Sequence, residues 1–167
     1  MGHPGKQLLF MGGELAQSEE WAHDRSLDWH LLQYPEHRGV QELVRCLNRI
    51  YRAEPALWQR DTTPEGFRWV DASDADANVL SFLRFPEQGA PLACVANLSP
   101  VCRQGYRVGL PTGGEWRELL NTDDVEFGGS GVSNGAVNAA KEGSSGLGFS
   151  AELVLPPLGV LWLVPAS

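Results

Sequence analysis

The sequence has little of what disulfide-stapled proteins are built from. Only three of its 167 residues are cysteines, and none of them forms a C-x-x-C pair. Small secreted scaffolds that depend on disulfides are richer in cysteine. We therefore expect free thiols in a reducing compartment, and a Cys94–Cys102 bridge is the one disulfide left open.

Long apolar runs and basic residues are also scarce. No stretch approaches the length of a membrane span, and residues 1–20 lack the basic region, apolar core and cleavage site of a secretory signal. The 13 basic residues are outnumbered by 21 acidic ones, for a net charge of −8. Such a charge repels phosphate backbones and anionic lipids. We expect no nucleic-acid partner, no membrane partner and a cytoplasmic protein.

Motifs of metal and phosphate chemistry are absent as well. Four side chains near the start carry metal-ligating groups: His23, Asp24, His30 and His37. Their spacing matches no ligand frame. The aspartates of residues 71–76 lack the Gly and terminal Glu of a calcium loop, and no Gly-Lys-Ser/Thr follows the glycines of residues 128–131. We predict no metal and no cofactor.

One helix is predicted between His37 and Ala53. Its apolar residues recur at helical spacing: Val40, Leu43, Val44, Leu47, Ile50 and Tyr51. Arginines, Gln41 and Glu42 fill the other face, and Pro55 ends the helix. The apolar stripe predicts that this helix docks on a substantial surface.

From residue 66 onward, short β-prone runs alternate with turns, as in a β-sandwich. The candidate strands are Phe67–Val70, Val79–Phe85, Leu92–Leu98, Tyr106–Leu110, Trp116–Asn121, Phe149–Leu155 and Val160–Val164. The glycine-rich stretch from about residue 124 to 148 has few groups to bury and predicts a mobile loop, so that strands resume only at Phe149.

The opening segment has a different character. Leu8–Met11 is a continuous apolar run closed by two glycines, which predicts a strand buried on both faces of a parallel sheet. No other run is followed by a crossover helix that would supply parallel neighbours. An acidic and aromatic loop comes next, at the position where a (β/α)8 barrel carries its substrate-binding groups.

This opening segment, Lys6–Gln17 with Glu20-Trp21 and Arg25–Trp29, closely resembles the last barrel strand and loop of glycogen branching enzymes. These enzymes belong to the α-amylase superfamily, glycoside hydrolase family 13. Further segments resemble the family in family order: Arg25–Leu32, His37–Gln41, Leu47–Tyr51, Glu54–Leu57, Gly66–Asp71, Asn97–Pro100, Leu120–Asp123 and Gly128–Gly131. Together they cover nearly the whole chain.

The resemblance implies the C-terminal part of a larger bacterial enzyme. The implied fold is mainly β. It is an antiparallel β-sandwich, the superfamily's C-terminal all-β domain, preceded by the last strand and helix of a truncated (β/α)8 barrel. Residues 1–60 would be the barrel remnant, with strand, loop and helix, and residues 61–167 the sandwich domain.

The family's activity is 1,4-α-glucan branching. An α-1,4 glucan is cleaved through a covalent glycosyl-enzyme, and the freed piece is transferred to a 6-hydroxyl, which makes an α-1,6 branch in glycogen. The implied partners are α-glucans, namely glycogen and amylose, and the rest of the barrel in cis. This chemistry needs two carboxyl groups about 5 Å apart. No acidic residue here sits in the family's catalytic motifs, so we assign no catalytic residue and expect the chain alone to be inactive.

Three residues are candidate glucan-binding groups: Glu14, Trp21 and Trp29. The resemblance implies that Glu14 helps to shape the active-site floor, with a structural role favoured over a chemical one. The two tryptophans offer flat faces for stacking on glucose, or they close the loop against Leu27 and Leu31. The remaining tryptophans are expected to pack in the core: Trp58, Trp69, Trp116 and Trp162.

Two other functions remain open. A hydrolase of the same superfamily, debranching or trehalose-releasing, would share the sandwich but differ in Arg25–Leu32. A non-catalytic carbohydrate-binding module would carry an exposed aromatic row on one face of the sandwich, to which Trp69 and Trp116 would have to contribute.

Overall fold

A computed structural model describes residues 1–166. In this range the chain forms one α-helix, α1 (Pro35–Ala53), followed by eight strands. The strands are β1 (Phe67–Asp74), β2 (Val79–Arg84), β3 (Leu92–Asn97), β4 (Arg103–Leu110), β5 (Gly114–Asn121), β6 (Ala136–Ala139), β7 (Phe149–Leu155) and β8 (Val160–Pro165). Short 3-10 turns at Gly13–Leu15, Trp29–Gln33, Pro55–Leu57, Pro64–Gly66 and Val125–Phe127 connect these elements.

The strands form two antiparallel sheets. Six strands pair in the order β1-β2-β3-β8-β5-β6, and β4 pairs with β7. Side chains alternate between the two faces of the larger sheet. Along β8, Leu161 and Leu163 lie in the core between the sheets, whereas Trp162 and Val164 lie on the outer face. The predicted antiparallel β-sandwich, preceded by a helix, is confirmed.

Helix α1 covers the outer face of the six-stranded sheet. Ile50 is buried there with Phe82 and Trp162, and Leu43 and Leu47 pack against the same cluster. The predicted helix is confirmed and begins two residues earlier than expected, because Pro35 occupies its first turn, where proline is tolerated. The middle of the large sheet is therefore covered on both faces.

One buried side chain ties the outer-face segments together. Arg84 is fully buried, and its guanidinium pairs with Asp61. It also donates hydrogen bonds to three carbonyl oxygens: those of Gly2 (2.8 Å), Leu57 (3.0 Å) and Gly66 (3.2 Å). The Tyr51 hydroxyl of α1 donates to Asp61 at 3.3 Å, and burial together with that carboxylate raises the pKa of Tyr51. The Arg84–Asp61 pair, which we call the polar anchor, thus links β2 to helix α1 and to the segment between them.

The predicted strand Leu8–Met11 is wrong. These residues form no strand and all four side chains are exposed. A parallel strand needs hydrogen-bonded neighbours, and every sheet pairing among residues 1–166 is antiparallel and excludes this segment.

The prediction of a mobile loop over residues 124–148, with strands resuming only at Phe149, is also wrong. Strand β6 lies inside this stretch and pairs with β5. Asn134 acts as a further link, because its side chain both accepts from the Val154 amide (2.6 Å) and donates to the Val154 carbonyl (3.0 Å). Side-chain hydrogen bonds to the main chain order this polar stretch with little apolar burial.

The tryptophans expected in the core divide into two pairs. Trp116 and Trp162 are buried, as predicted. Trp58 and Trp69 are exposed, so the prediction fails for them. Trp69 lies on the edge strand β1 and meets Phe67 and Phe82 edge-on at 5.0 and 5.7 Å. Trp58 directly follows the Pro55–Leu57 turn at the surface.

All three cysteines are free thiols, and Cys94 is buried between the large sheet and helix α1. Burial raises the pKa of the Cys94 thiol to about 12, so it is protonated at neutral pH. Among residues 1–166 there is no helix whose length and apolar character would let it cross a membrane.

Candidate functional site

The candidate site begins where the opening segment turns. Met11 and Gly12 adopt left-handed backbone angles, with φ of 27° and 89°, and lead into the Gly13–Leu15 turn that carries Glu14. The positive φ of Gly12 favours glycine, and a Cβ there would also displace the Gln17 side chain, whose Oε1 would lie only 2.8 Å away. Leu15 is fully buried and Glu14 partly buried. Leu15 thereby holds the turn that presents Glu14.

Gln17 closes the loop that follows. Its Oε1 accepts a hydrogen bond from the Asp28 amide at 3.0 Å, and its Nε2 donates to the Glu19 carbonyl at 3.2 Å. Inside the loop, Arg25 Nη2 donates to the Glu20 carbonyl at 3.0 Å. Residues 17–28 therefore form a closed loop with Trp21 within it and Trp29 directly after it.

Both candidate tryptophans reach the surface. Trp21 is 46% exposed and meets Phe10 edge-on, with ring centroids 5.3 Å apart. Trp29 is 52% exposed and begins the Trp29–Gln33 turn. An aromatic ring that stays half exposed is available to stack on a flat sugar face. Contact with glucan stays a prediction for both residues and for Glu14.

The first turn of α1 contacts this segment. His37 Nδ1 lies 2.7 Å from the Leu15 carbonyl oxygen, and because a carbonyl only accepts, Nδ1 carries the hydrogen. Two residues later, Gly39 is buried against the main chain of the Val125–Phe127 turn. The start of α1 therefore lies between the candidate site and a loop of the sandwich.

The candidate site presents a carboxylate and two exposed indoles. Hydrogen bonding and ring stacking are the contacts by which proteins commonly hold sugars, so these groups are of the kind that a sugar site uses. Across residues 1–166, no group of three or more His, Cys, Asp and Glu side chains is placed to hold a metal ion. The other side chains considered as ligands, those of His23, His30 and Asp24, are all exposed. We assign no residue of this chain to bond cleavage.

Reasoning from sequence missed two residues that shape the site: Gln17 and Gly39. Gly39 did carry a signal, because glycine inside a helix lowers its stability and so indicates a packing reason such as a close approach. The Gln17 contact spans 11 residues and has no local signal.

Comparison with known proteins first defines the class. The profile of the family described as "Alpha amylase, C-terminal all-beta domain" matches residues 69–166. The solved "Crystal structure of alpha-amylase from H.orenii" superposes with a TM-score of 0.59 at 13% identity, covering 99% of this chain and 33% of that one. At that identity the likeness concerns the fold. The chain belongs to the α-amylase C-terminal all-beta domain family.

Closer relatives are named "1,4-alpha-glucan branching enzyme GlgB". The protein from Frankia casuarinae is 54% identical over 98% of this chain, and that from Thermobifida fusca is 55% identical over 97%. The protein from Aquifex aeolicus is 54% identical over 96%. These matches cover 21%, 22% and 26% of the relatives, so the chain spans about a fifth to a quarter of their length. The resemblance to glycogen branching enzymes is confirmed.

These findings bear on the two other functions left open by the sequence, a hydrolase of the same superfamily and a carbohydrate-binding module. The relatives are named as branching enzymes and not as debranching or trehalose-releasing hydrolases. The aromatic row of a binding module is not formed by Trp69 and Trp116, because Trp116 is fully buried between the sheets while Trp69 is exposed on the edge strand.

Proposed function

We propose that this chain is the C-terminal part of a 1,4-α-glucan branching enzyme, which makes α-1,6 branches in glycogen. The observation that carries the proposal is identity above one half with proteins of that name, extending over the opening loop as well as the sandwich. Matches confined to the sandwich would have supported only membership of the domain family. The match over residues 1–60 supports the particular activity.

In the proposed reaction a carboxylate attacks the anomeric carbon while a second carboxylic acid protonates the leaving oxygen. The glycosyl-enzyme is then attacked by a 6-hydroxyl of another glucan. We assign both carboxyl groups to the part of the enzyme outside these 167 residues, because no acidic residue here sits in the family's catalytic motifs. Glu14 shapes the floor of the site, and Trp21 and Trp29 contribute stacking surfaces at its rim.

The rest of the barrel is the proposed partner in cis. The exposure of Leu8, Leu9, Phe10 and Met11 supports it, since a barrel strand is buried on both faces. We propose residues 1–60 as the barrel remnant and 61–167 as the sandwich domain, a division supported by the family match beginning at residue 69. α-Glucans such as glycogen and amylose are the proposed substrates. The net charge of −8 argues against nucleic acid and membrane partners, and three free thiols support a cytoplasmic location.

The test compares a full-length enzyme bearing this C-terminus with the 167-residue chain alone. Iodine staining of amylose should fall in proportion to the amount of full-length enzyme, and α-1,6 linkages should appear by NMR. The isolated chain should leave the staining unchanged, because it lacks the groups for the covalent and proton-transfer steps. A full-length enzyme that shortens amylose without forming α-1,6 linkages would be a hydrolase, contrary to the proposal.

A second arm tests the rim. One lost stacking contact is worth about 1 kcal/mol, so Trp29→Ala should lower kcat/KM of the full-length enzyme about fivefold while changing its melting temperature little. Trp162→Ala is the matched control, because its effect should appear in stability instead. If Trp29→Ala leaves the kinetics unchanged and lowers stability, Trp29 is a packing residue.

A further inference from the structure

One carboxylate organises the loop between β5 and β6. Asp123 is buried and accepts three hydrogen bonds, from Ser130 N (3.0 Å), Ser130 Oγ (2.6 Å) and Val132 N (3.0 Å). Asn121 adds two more, accepting from the Asp123 amide and donating to the Val132 carbonyl. We call residues 121–132 the Asp123 loop. Its shape is set by these two side chains.

The Asp123 loop touches α1 through main-chain atoms. A Cβ on Gly39 would lie 2.4 Å from the Phe127 carbonyl oxygen and 2.7 Å from its carbon. No side-chain rotation relieves such a contact, so alanine at this position must push the loop and the helix apart. Alanine favours helix over glycine, so helix propensity does not explain the glycine. The close approach does.

The same turn of α1 reaches the candidate site. His37, two residues before Gly39, donates from Nδ1 to the Leu15 carbonyl, and Leu15 is fully buried. The Asp123 loop meets Gly39 through the Phe127 carbonyl, and the first turns of α1 carry that contact on to His37 and so to the turn that carries Glu14. A shift at the Gly39 contact moves the start of α1 relative to that turn.

We infer that the Asp123 loop fixes the position of the Gly13–Leu15 turn, with Gly39 and Asp123 acting as positioning residues of the site. The sandwich thereby takes part in the reaction without touching the substrate. The catalytic consequence rests on the proposed branching function, whereas the structural coupling does not. A displacement of about 1 Å at a reacting centre costs up to about 100-fold in rate, so a small shift of the floor is measurable.

Hydrogen exchange on the 167-residue chain tests the coupling directly. The amides of Gly13, Leu15, Ala16 and Gln17 all donate within the turn. In Gly39→Ala their exchange should accelerate about tenfold, while the amides of β2 and β3 keep their rates, because local opening is independent of the sheet. Gly148→Ala is the matched control, since a Cβ there meets nothing within 4 Å. Unchanged exchange at residues 13–17, or an equal acceleration in β2 and β3, would overturn the inference.

Kinetics of the full-length enzyme test the consequence. Gly39→Ala should lower kcat about tenfold and change KM for amylose less than about twofold, at a temperature well below both melting transitions. Asp123→Asn should show the same split, because a neutral amide cannot accept all three hydrogen bonds. The double variant should lose less than the product of the two single losses, since both act through one contact.

The outcomes separate the two proposals. An unsubstituted full-length enzyme that does not branch overturns the proposed function, while the exchange experiment still decides the coupling. A branching enzyme whose Gly39→Ala variant keeps its kcat and loses only melting temperature overturns the positioning role. A fall in kcat with no change in exchange at residues 13–17 also overturns it, because the effect then reaches the site by another route.

Discussion

Two apolar runs of similar composition have opposite fates in this protein. Leu8 is 87% exposed and Phe10 53% exposed, whereas Leu161 is fully buried and Trp162 is 2% exposed. Both runs are predicted as strands, and a continuous apolar run is typical of a strand covered on both faces. The second run has that environment in β8, because β3 and β5 pair with its edges while β4-β7 and α1 cover its faces. The opening run pairs with no strand among the described residues, and its four side chains stay exposed.

The difference shows what an apolar run encodes. An apolar run forms a strand only where other strands pair with its edges and other elements cover its faces. Burying each large apolar side chain contributes about 1.5–3 kcal/mol, and a strand without partners gains neither this burial nor its main-chain hydrogen bonds. The opening segment is instead held by hydrogen bonds from Arg84 of β2 to the Gly2 carbonyl and from His37 of α1 to the Leu15 carbonyl.

Hydrogen exchange should show the largest contrast between the two regions. The amides of β2 and β3 open only with the sheet, so they should exchange at least about 1,000-fold more slowly than those of Leu8–Met11. Exchange followed by mass spectrometry on the 167-residue chain measures both regions at once. Comparable protection at Leu8–Met11 would mean that the opening run has a partner, for example a second copy of the chain, and dilution would then restore fast exchange.

Tryptophan substitutions sharpen the same comparison in stability. Trp162→Ala opens a cavity between α1 and the sheet and should lower the free energy of unfolding by about 3–5 kcal/mol. Trp29→Ala removes a half-exposed ring and should change it by less than about 0.5 kcal/mol. Urea titration of both variants of the 167-residue chain measures the difference. Equal losses would show that Trp29 packs as firmly as the core residue.

Loss of the polar anchor should give the next largest fall in the free energy of unfolding. Arg84→Met removes the partner of Asp61 and of three carbonyl oxygens and should cost about 3 kcal/mol, since unpaired buried groups remain. Arg45→Met is the matched control, because Arg45 lies on the exposed face of α1 and pairs with Glu42 and Gln41 of the same helix. Its cost should stay below about 0.5 kcal/mol. If Arg84→Met leaves the free energy of unfolding unchanged, water replaces the lost hydrogen bonds.

The sequence predicts most of the regular structure, because α1 and the longer strands carry clear periodicity. It does not predict β6, whose four residues are too few for a pattern and lie within a glycine-rich stretch. The candidate site is predicted less completely. Glu14, Trp21 and Trp29 stand in one loop in the sequence, whereas the contacts that hold the loop join residues far apart in the chain, such as His37 with Leu15 and Phe127 with Gly39. Such contacts depend on the tertiary fold and leave no local periodic signal.

The smallest expected effect is the pH dependence of the stability that Asp123 contributes, which an exposed aspartate should not show. Burial opposes the charge of Asp123, but hydrogen bonds from Ser130, Val132 and Gly131 outweigh it and lower its pKa. A carboxyl with a lower pKa in the folded state stabilises the fold above its unfolded pKa, about 3.9, and this stabilisation is lost as the pH falls through the folded value. At pH 7 Asp123→Asn should therefore lower the free energy of unfolding by about 2 kcal/mol, and the difference from the unsubstituted chain should shrink below about pH 4.

Urea titrations at several pH values measure this difference in the free energy of unfolding. Asp76→Asn, at an exposed turn position, is the control and should give a small difference at every pH. A gap between Asp123→Asn and the unsubstituted chain that stays constant down to the acid transition would show that the shape of the side chain, and not its charge, holds the loop.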